Sequence, residues 1–265
     1  MDLSSRTALV TGANRGIGRA LAEALAREPL DLLLCGTRSP GSFEAIAATA
    51  GGAREIRAVE IDLGSRAAIE RSVDGLGEDL ARIDLLVNNA GLVTGGLLEE
   101  QDLDEIYAMF QANLLGLVQL TRSVLPGMLA RRTGKIVNNA SISGYAYFPA
   151  ATTYAASKAG VVAFTEALRR ELKDTGVTTL HLVTGGVDTD MLGDTHETYG
   201  RHLDTSSWES QPASEWAAKV VAAIRGDDTI LGPGGKTAIA KLASRGPAFL
   251  LDQITARAFS REPRA

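Results

Sequence analysis

Apolar residues along the first 235 positions fall into two kinds of stretch, short unbroken runs and longer segments with helical spacing. The short runs are Arg6 to Val10, Asp31 to Thr37, Glu55 to Ile61, Ile83 to Val87, Lys135 to Asn139, Val177 to Val183 and a final short piece at Thr229 to Leu231. Runs without polar alternation, such as Leu32 to Cys35, suit strands buried on both faces of a parallel sheet. Between them the spacing predicts helices in Arg19 to Glu28, Ser65 to Ala81, Leu103 to Ala130, Tyr154 to Asp174 and Pro212 to Arg225, with Gly176 as a helix-ending residue. Strands and helices alternate with no linker and no internal repeat, which predicts one doubly wound α/β domain: a parallel seven-stranded sheet with helices on both faces. From Asp188 to Ser210 the periodicity is lost, and this stretch is expected to be an irregular lid over a site.

Composition narrows the picture. The chain has 265 residues, 45% of them hydrophobic and 22% charged, an ordinary globular balance with ample material for a core. A single cysteine, Cys35, excludes an internal disulfide framework, and three histidines without a clustered partner set argue against a metal centre. The net charge of -5 offers no global attraction to nucleic acid. The first residues lack the basic region and long apolar run of a signal peptide, and no window approaches a membrane span, so a cytoplasmic location is expected. The end of the chain differs: from Gly232 it has six Lys or Arg against two Asp or Glu, a balance of +4 against -9 for everything before it. Residues 1–235 are therefore taken as the folded domain, including the lid at 188–210, and 236–265 as a basic amphipathic tail. A helix from Pro247 would present Leu250, Leu251, Ile254 and Phe259, for packing on the protein itself, on a second subunit, on a membrane surface or on an acyl substrate.

The candidate chemistry lies where predicted strands end. TGANRGIG places Thr11, Gly12, Gly16 and Gly18 between a strand and a helix, where glycines allow a tight turn and let a pyrophosphate reach the positive helix end. At the end of the second strand, where a carboxylate would bind the ribose hydroxyls of NAD, the chain has Gly36, Thr37 and Arg38. Arg38 and Arg15 could hold a 2'-phosphate, which favours NADP(H); on composition alone they could equally be solvated surface residues. Asp62 could bind an adenine amino group or cap the helix that follows it. Asn113 falls inside a predicted helix, where Asn is a poor former. Tyr154 and Lys158 are four residues apart on a predicted helix, one turn from each other, so an ammonium could draw a phenol toward ionisation; the same spacing fits two solvated side chains.

As a set, TGANRGIG, NNAG at 88 to 91, Asn113, Ser141 and YAASK at 154 to 158 resemble the classical short-chain dehydrogenase/reductase family over roughly residues 6 to 231. The resemblance implies a single-domain Rossmann fold and an NADP(H)-dependent oxidoreductase interconverting a ketone or aldehyde and its alcohol. In it Tyr154 would be the general acid/base, Ser141 would hold the substrate oxygen, Lys158 would bind the nicotinamide ribose and lower the Tyr pKa, and Asn113 would hold a relay water. The cofactor set it implies is Gly12, Asn14, Arg15, Gly16, Ile17, Gly18, Arg38, Asp62, Leu63, Asn89, Ala90, Gly91, Tyr154, Lys158, Gly185, Val187 and Thr189. It also implies a homodimer or homotetramer. Three positions depart from the family pattern: Thr184-Gly185 stands where Pro-Gly is usual, Asn139 where Ile or Val is usual, and Pro29 replaces a glycine. Tyr145, Tyr147, Phe148, Met191 and Trp208, with Ser141, could form an apolar pocket for a hydrophobic ketone or acyl chain. A dinucleotide-sensing regulator without chemistry is the alternative from another class.

Overall fold

A computed structural model describes residues 1–206, 208–234 and 258–262. Its main sheet has seven parallel strands in the order β3-β2-β1-β4-β5-β6-β9, namely β1 (Thr7–Thr11), β2 (Leu32–Thr37), β3 (Glu55–Glu60), β4 (Ile83–Asn88), β5 (Gly134–Asn139), β6 (Val177–Leu182) and β9 (Ile230–Leu231). The order reverses at β1, where β2 lies on one side and β4 on the other, and in sheets of this kind the carboxyl ends at such a switch point are where ligands bind. The seven-stranded doubly wound reading is met.

The apolar runs are unbroken because each strand feeds two cores. Ala8, Val10, Leu33, Cys35, Leu85 and Val87 face one cluster, which is closed by α1 (Gly16–Leu25) and α8 (Ala213–Arg225). Leu9, Leu32, Leu34, Leu86 and Ile136 face the other, closed by α2 (Arg66–Leu76), α5 (Leu117–Arg131) and α6 (Thr152–Glu171). Alternate residues of one strand thus reach opposite layers, as the two-residue period of a pleated strand requires.

Three helical expectations change in detail. The Ser65 to Ala81 stretch is two helices, α2 and α3 (Asp79–Arg82), divided at Gly77, whose φ of 53° breaks the first. The long helix expected over Leu103 to Ala130 contains α4 (Leu103–Phe110) and α5, joined by a π-helical turn at Gln111–Gly116 around Asn113. The lid is not irregular: it holds α7 (Asp190–Gly200) and a small parallel pair, β7 (Gly186–Asp188) with β8 (Ser210–Pro212). Its polar composition hid a helix whose inward residues are few and widely spaced. Most of the tail expected at 236–265, including the helix from Pro247 with Leu250, Leu251 and Ile254, lies outside the described residues.

Beneath the site, the sheet and the α5–α6 layer are tied by a buried polar chain. Asn88 Nδ2 donates to Thr121 Oγ1 and to Asn138 Oδ1, each at 2.9 Å, and Asn138 Nδ2 donates to Thr165 Oγ1 at 2.9 Å. Removing the middle link takes one bond each from Asn88 Nδ2, which keeps Thr121, and from Thr165 Oγ1, which keeps the Val161 carbonyl, so Asn138→Leu should lower stability by about 1–3 kcal/mol. Urea denaturation of the variant, with an unchanged m-value, is the measurement that checks this.

Candidate active site

The turn after β1 is built from glycines that the chain cannot replace. Gly12 and Gly16 have φ of 67° and 53°, and a Cβ on Gly12 would stand 3.0 Å from Ala90 Cα. A Cβ on Gly18 would overlap the Gly12 carbonyl oxygen and the Asn89 amide. The amino end of α1 has no side-chain cap and no acidic residue in its first turn, so its backbone N–H groups remain available to an anion. Across from it, Asn89 Nδ2 donates to the Thr11 carbonyl at 3.1 Å, and the N–H groups of Asn89 and Ala90 donate to Thr11 Oγ1 at 3.0 and 2.9 Å. Gly91 stands where a Cβ would crowd Asn113 Oδ1 at 2.9 Å. Thr189 closes the third side, its Cγ2 3.3 Å from where a Cβ on Gly16 would lie.

Those groups form a cradle that fits a dinucleotide pyrophosphate. Asn14, Arg15 and Arg38 are exposed at its rim, and among the described residues neither Arg15 nor Arg38 makes an ion pair. Ile17 and Gly185 are half-buried and Val187 is buried. Asp62 does not cap α2: its carboxylate accepts from the Gly64 N–H at 2.9 Å, while Ser65 is the cap, accepting from Ala68 N–H at 3.1 Å. Leu63 is buried, and its carbonyl accepts from Gln111 Nε2 at 3.2 Å.

The four proposed catalytic positions converge. Ser141 follows β5 and its hydroxyl accepts from the Ser143 N–H at 3.1 Å, which fixes its rotamer; the Tyr154 phenol on α6 stands close enough to Ser141 for that side chain to lower its pKa. Asn113 is 1% exposed, and its amide is fully engaged as a donor, to the Leu92 carbonyl at 2.9 Å and to Ser157 Oγ at 3.1 Å. Its Oδ1 accepts from the Leu92 N–H at 2.7 Å. The side chain therefore pins the loop after β4 to α6. The π-helical turn brings Asn113 to this position, which explains a poor helix former in mid-helix.

Electrostatics correct one expectation. Lys158 Nζ donates to the Asn139 carbonyl at 2.9 Å and lies 5.8 Å from the Tyr154 ring centroid, over the ring face. Burial is the main influence on the phenol, pushing Tyr154 up from 10.0 to about 12 against the smaller, lowering effect of the Ser141 hydrogen bond. Burial also pulls Lys158 down from 10.5 to about 8. In the protein alone burial, not the ammonium, dominates the phenol, and the ammonium is engaged by a backbone carbonyl.

The expected apolar pocket is redistributed. Phe148 and Trp208 do meet, with ring centroids 6.2 Å apart, but Tyr145 turns inward to stack on His181 at 5.8 Å, and Tyr147 is 59% exposed. Met191 is half-buried in the first turn of α7. The residue that reaches the site from the lid is Tyr199, 1% exposed, edge-on to Trp208 and donating to the Thr94 carbonyl at 3.4 Å. Its ring fits because residue 95 is glycine, whose Cβ would overlap it. Phe259 joins this cluster through a bridge to Leu203, with the Ser260 carbonyl against His202 Nδ1 at 3.0 Å. Tyr199 lies in the stretch from Asp188 to Ser210, where no spacing pattern marks it.

Residues 6–200 match the family model described as short chain dehydrogenase. A 3-oxoacyl-(acyl-carrier-protein) reductase FabG of Vibrio harveyi is 36% identical over 191 residues, covering 72% of this chain and 77% of that protein. A short-chain dehydrogenase of Burkholderia cenocepacia in complex with NADP has a TM-score of 0.80 at 25% identity, over 96% of this chain and 99% of that one. One of Sphingobium yanoikuyae in complex with NADPH has a TM-score of 0.75 at 26% identity, over 95% and 93%. The chain belongs to the short-chain dehydrogenase/reductase family of oxidoreductases.

The displaced Lys158 pKa makes a pH prediction. Between about pH 8 and the unfolded value of 10.5 the unfolded chain binds the extra proton, so this group makes stability rise with pH there. One group contributes at most about 1.4 kcal/mol per pH unit. Lys158→Met should flatten the rise between pH 8 and 10 relative to the parent in urea denaturation series, below the range where Tyr154 acts oppositely.

Proposed function

We propose that the chain is an NADP(H)-dependent reductase of a ketone carrying an apolar or acyl portion. The observation that carries the reading is the placement of Tyr154 beside Ser141 at the sheet's carboxyl edge, with Lys158 over the same ring. When bound, the reduced dinucleotide supplies the hydride. Ser141 positions the carbonyl oxygen by a hydrogen bond, and Tyr154 gives the proton to that oxygen as its charge develops. A phenol held above its ordinary pKa is fully protonated at neutral pH, the state needed for reduction. Alcohol oxidation needs the phenolate and is favoured by raising the pH.

Preference for NADP(H) is supported by Arg15 and Arg38 at the cradle rim, which make no ion pair among the described residues, and by the NADP and NADPH named for the structural neighbours. An acyl substrate is in keeping with the 3-oxoacyl activity named for the relative and with the cluster of Phe148, Tyr199 and Trp208. Residues 1–235 would form the catalytic domain and 236–265 an appended tail. Self-association as a homodimer or homotetramer is supported by Leu103 and Tyr107, one turn apart on α4 and 68% and 74% exposed. No helix of the described residues is long and apolar enough to cross a membrane, and a cytoplasmic setting is proposed with that reading.

Tyr154→Phe should lower kcat for ketone reduction by at least about a hundredfold while leaving NADPH affinity within a few fold. Parent-like turnover in that variant, or tight NADPH binding with no reduction of any carbonyl in a broad panel, would favour a cofactor-sensing role instead. Arg38→Asp should shift the NADPH/NADH ratio of kcat/KM by at least about tenfold toward NADH. A parent enzyme that already prefers NADH would overturn the cofactor assignment.

A further inference from the structure

Asn139 and Thr184, the residues that depart from the family pattern at the ends of β5 and β6, touch each other. Thr184 Oγ1 donates to Asn139 Oδ1 at 2.5 Å, and both residues are buried. Asn139 Nδ2 in turn donates to Asn89 Oδ1 at 3.0 Å, and Asn89 Nδ2 to the Thr11 carbonyl at 3.1 Å. A single line of hydrogen bonds, every donor pointing the same way, therefore crosses the carboxyl ends of β6, β5, β4 and β1 beneath the proposed nicotinamide position. That direction fixes both amide orientations, since turning either one would set donor against donor or acceptor against acceptor.

Both residues also hold neighbours through their backbones. The Asn139 carbonyl is the acceptor for Lys158 Nζ at 2.9 Å, and the Thr184 carbonyl accepts from the Ile142 N–H at 2.8 Å, next to Ser141. Beyond Thr184 runs the segment through Gly185 and Val187 to Thr189, which closes on Gly16. A proline at 184 would fix that segment through its ring, whereas here a side-chain hydrogen bond to Asn139 does so. Introduced singly, either residue would place an unpaired polar group in a buried layer.

We infer that Asn139 and Thr184 are a coupled pair of positioning residues, jointly setting the Lys158 ammonium and the 184–189 segment against the cofactor. The consequence for the cofactor rests on the NADP(H) reading above; the coupling itself is a property of the chain alone.

The test is a double-mutant cycle of Asn139→Val and Thr184→Val in the full chain, read by urea midpoint without cofactor and by NADPH affinity from fluorescence titration. Each single variant should weaken NADPH binding by about fivefold or more, and the double variant should be no weaker than the worse single, because valines at both positions leave no orphan between them. Thr184→Ser, which keeps the hydroxyl, should bind NADPH within about twofold of the parent. Multiplying single effects in both readouts, or Thr184→Ser as damaging as Thr184→Val, would overturn the pairing. Coupling in the urea midpoint alone, with NADPH affinity of the folded variants unmoved, would overturn the positioning role. If the parent binds no NADPH, the cofactor reading fails, while the urea cycle still decides whether the two residues are coupled. If NADPH binding shows the coupling but no ketone is reduced, the pair stands and the reductase reading falls.

Discussion

The absence of a side chain at Gly18 governs how the first helix meets the sheet. With no Cβ there, α1 settles against the Gly12 carbonyl and the Asn89 amide, so that the loop after β4 and the turn after β1 share one surface. The hydroxyl of Thr11 holds the other side of that surface through the backbone of Asn89 and Ala90. Everything that would contact a dinucleotide is referred to this junction, from the free N–H groups of α1 to the approach of Thr189 to Gly16. An alanine at position 18 would separate two strands' ends that the rest of the site takes as fixed.

Around that junction the protein places charge sparingly. Lys158 and Tyr154 are both displaced in the direction of their neutral forms by burial, and the ammonium is held by one backbone carbonyl. A bound dinucleotide bearing ribose hydroxyls and phosphates would change the surroundings of both. Burial thus sets the electrostatics of both groups in the protein alone.

Much of this was legible in the chain because the fold writes its constraints in few residue types. Glycines at 12, 16 and 18, apolar runs in the inner strands, and Ser141, Tyr154 and Lys158 at set intervals each reflect a local requirement that sequence spacing exposes. What stayed hidden depends on tertiary neighbours. The pairing of Asn139 with Thr184 joins positions 45 residues apart, so each looked like an isolated departure. The helix in the lid was obscured because its single deeply buried aromatic, Tyr199, fits against a glycine at 95 rather than within a hydrophobic stripe. The phenol's upward shift also depends on burial, which no spacing rule reports.

The π-helical turn at Gln111–Gly116 has a consequence for the helical rod that contains it. Such a turn carries one residue more than an α-turn, and one residue is about 100° of rotation in an α-helix. On α4 Leu103 and Tyr107 look outward while Met109 is buried, and on α5 Leu117, Leu120 and Val124 are buried. Removing a residue within the turn would restore a straight helical register and swing one half's exposed apolar face toward the sheet. The extra residue thus sets the rotation of one half of the rod against the other at the point where Asn113 reaches the loop after β4.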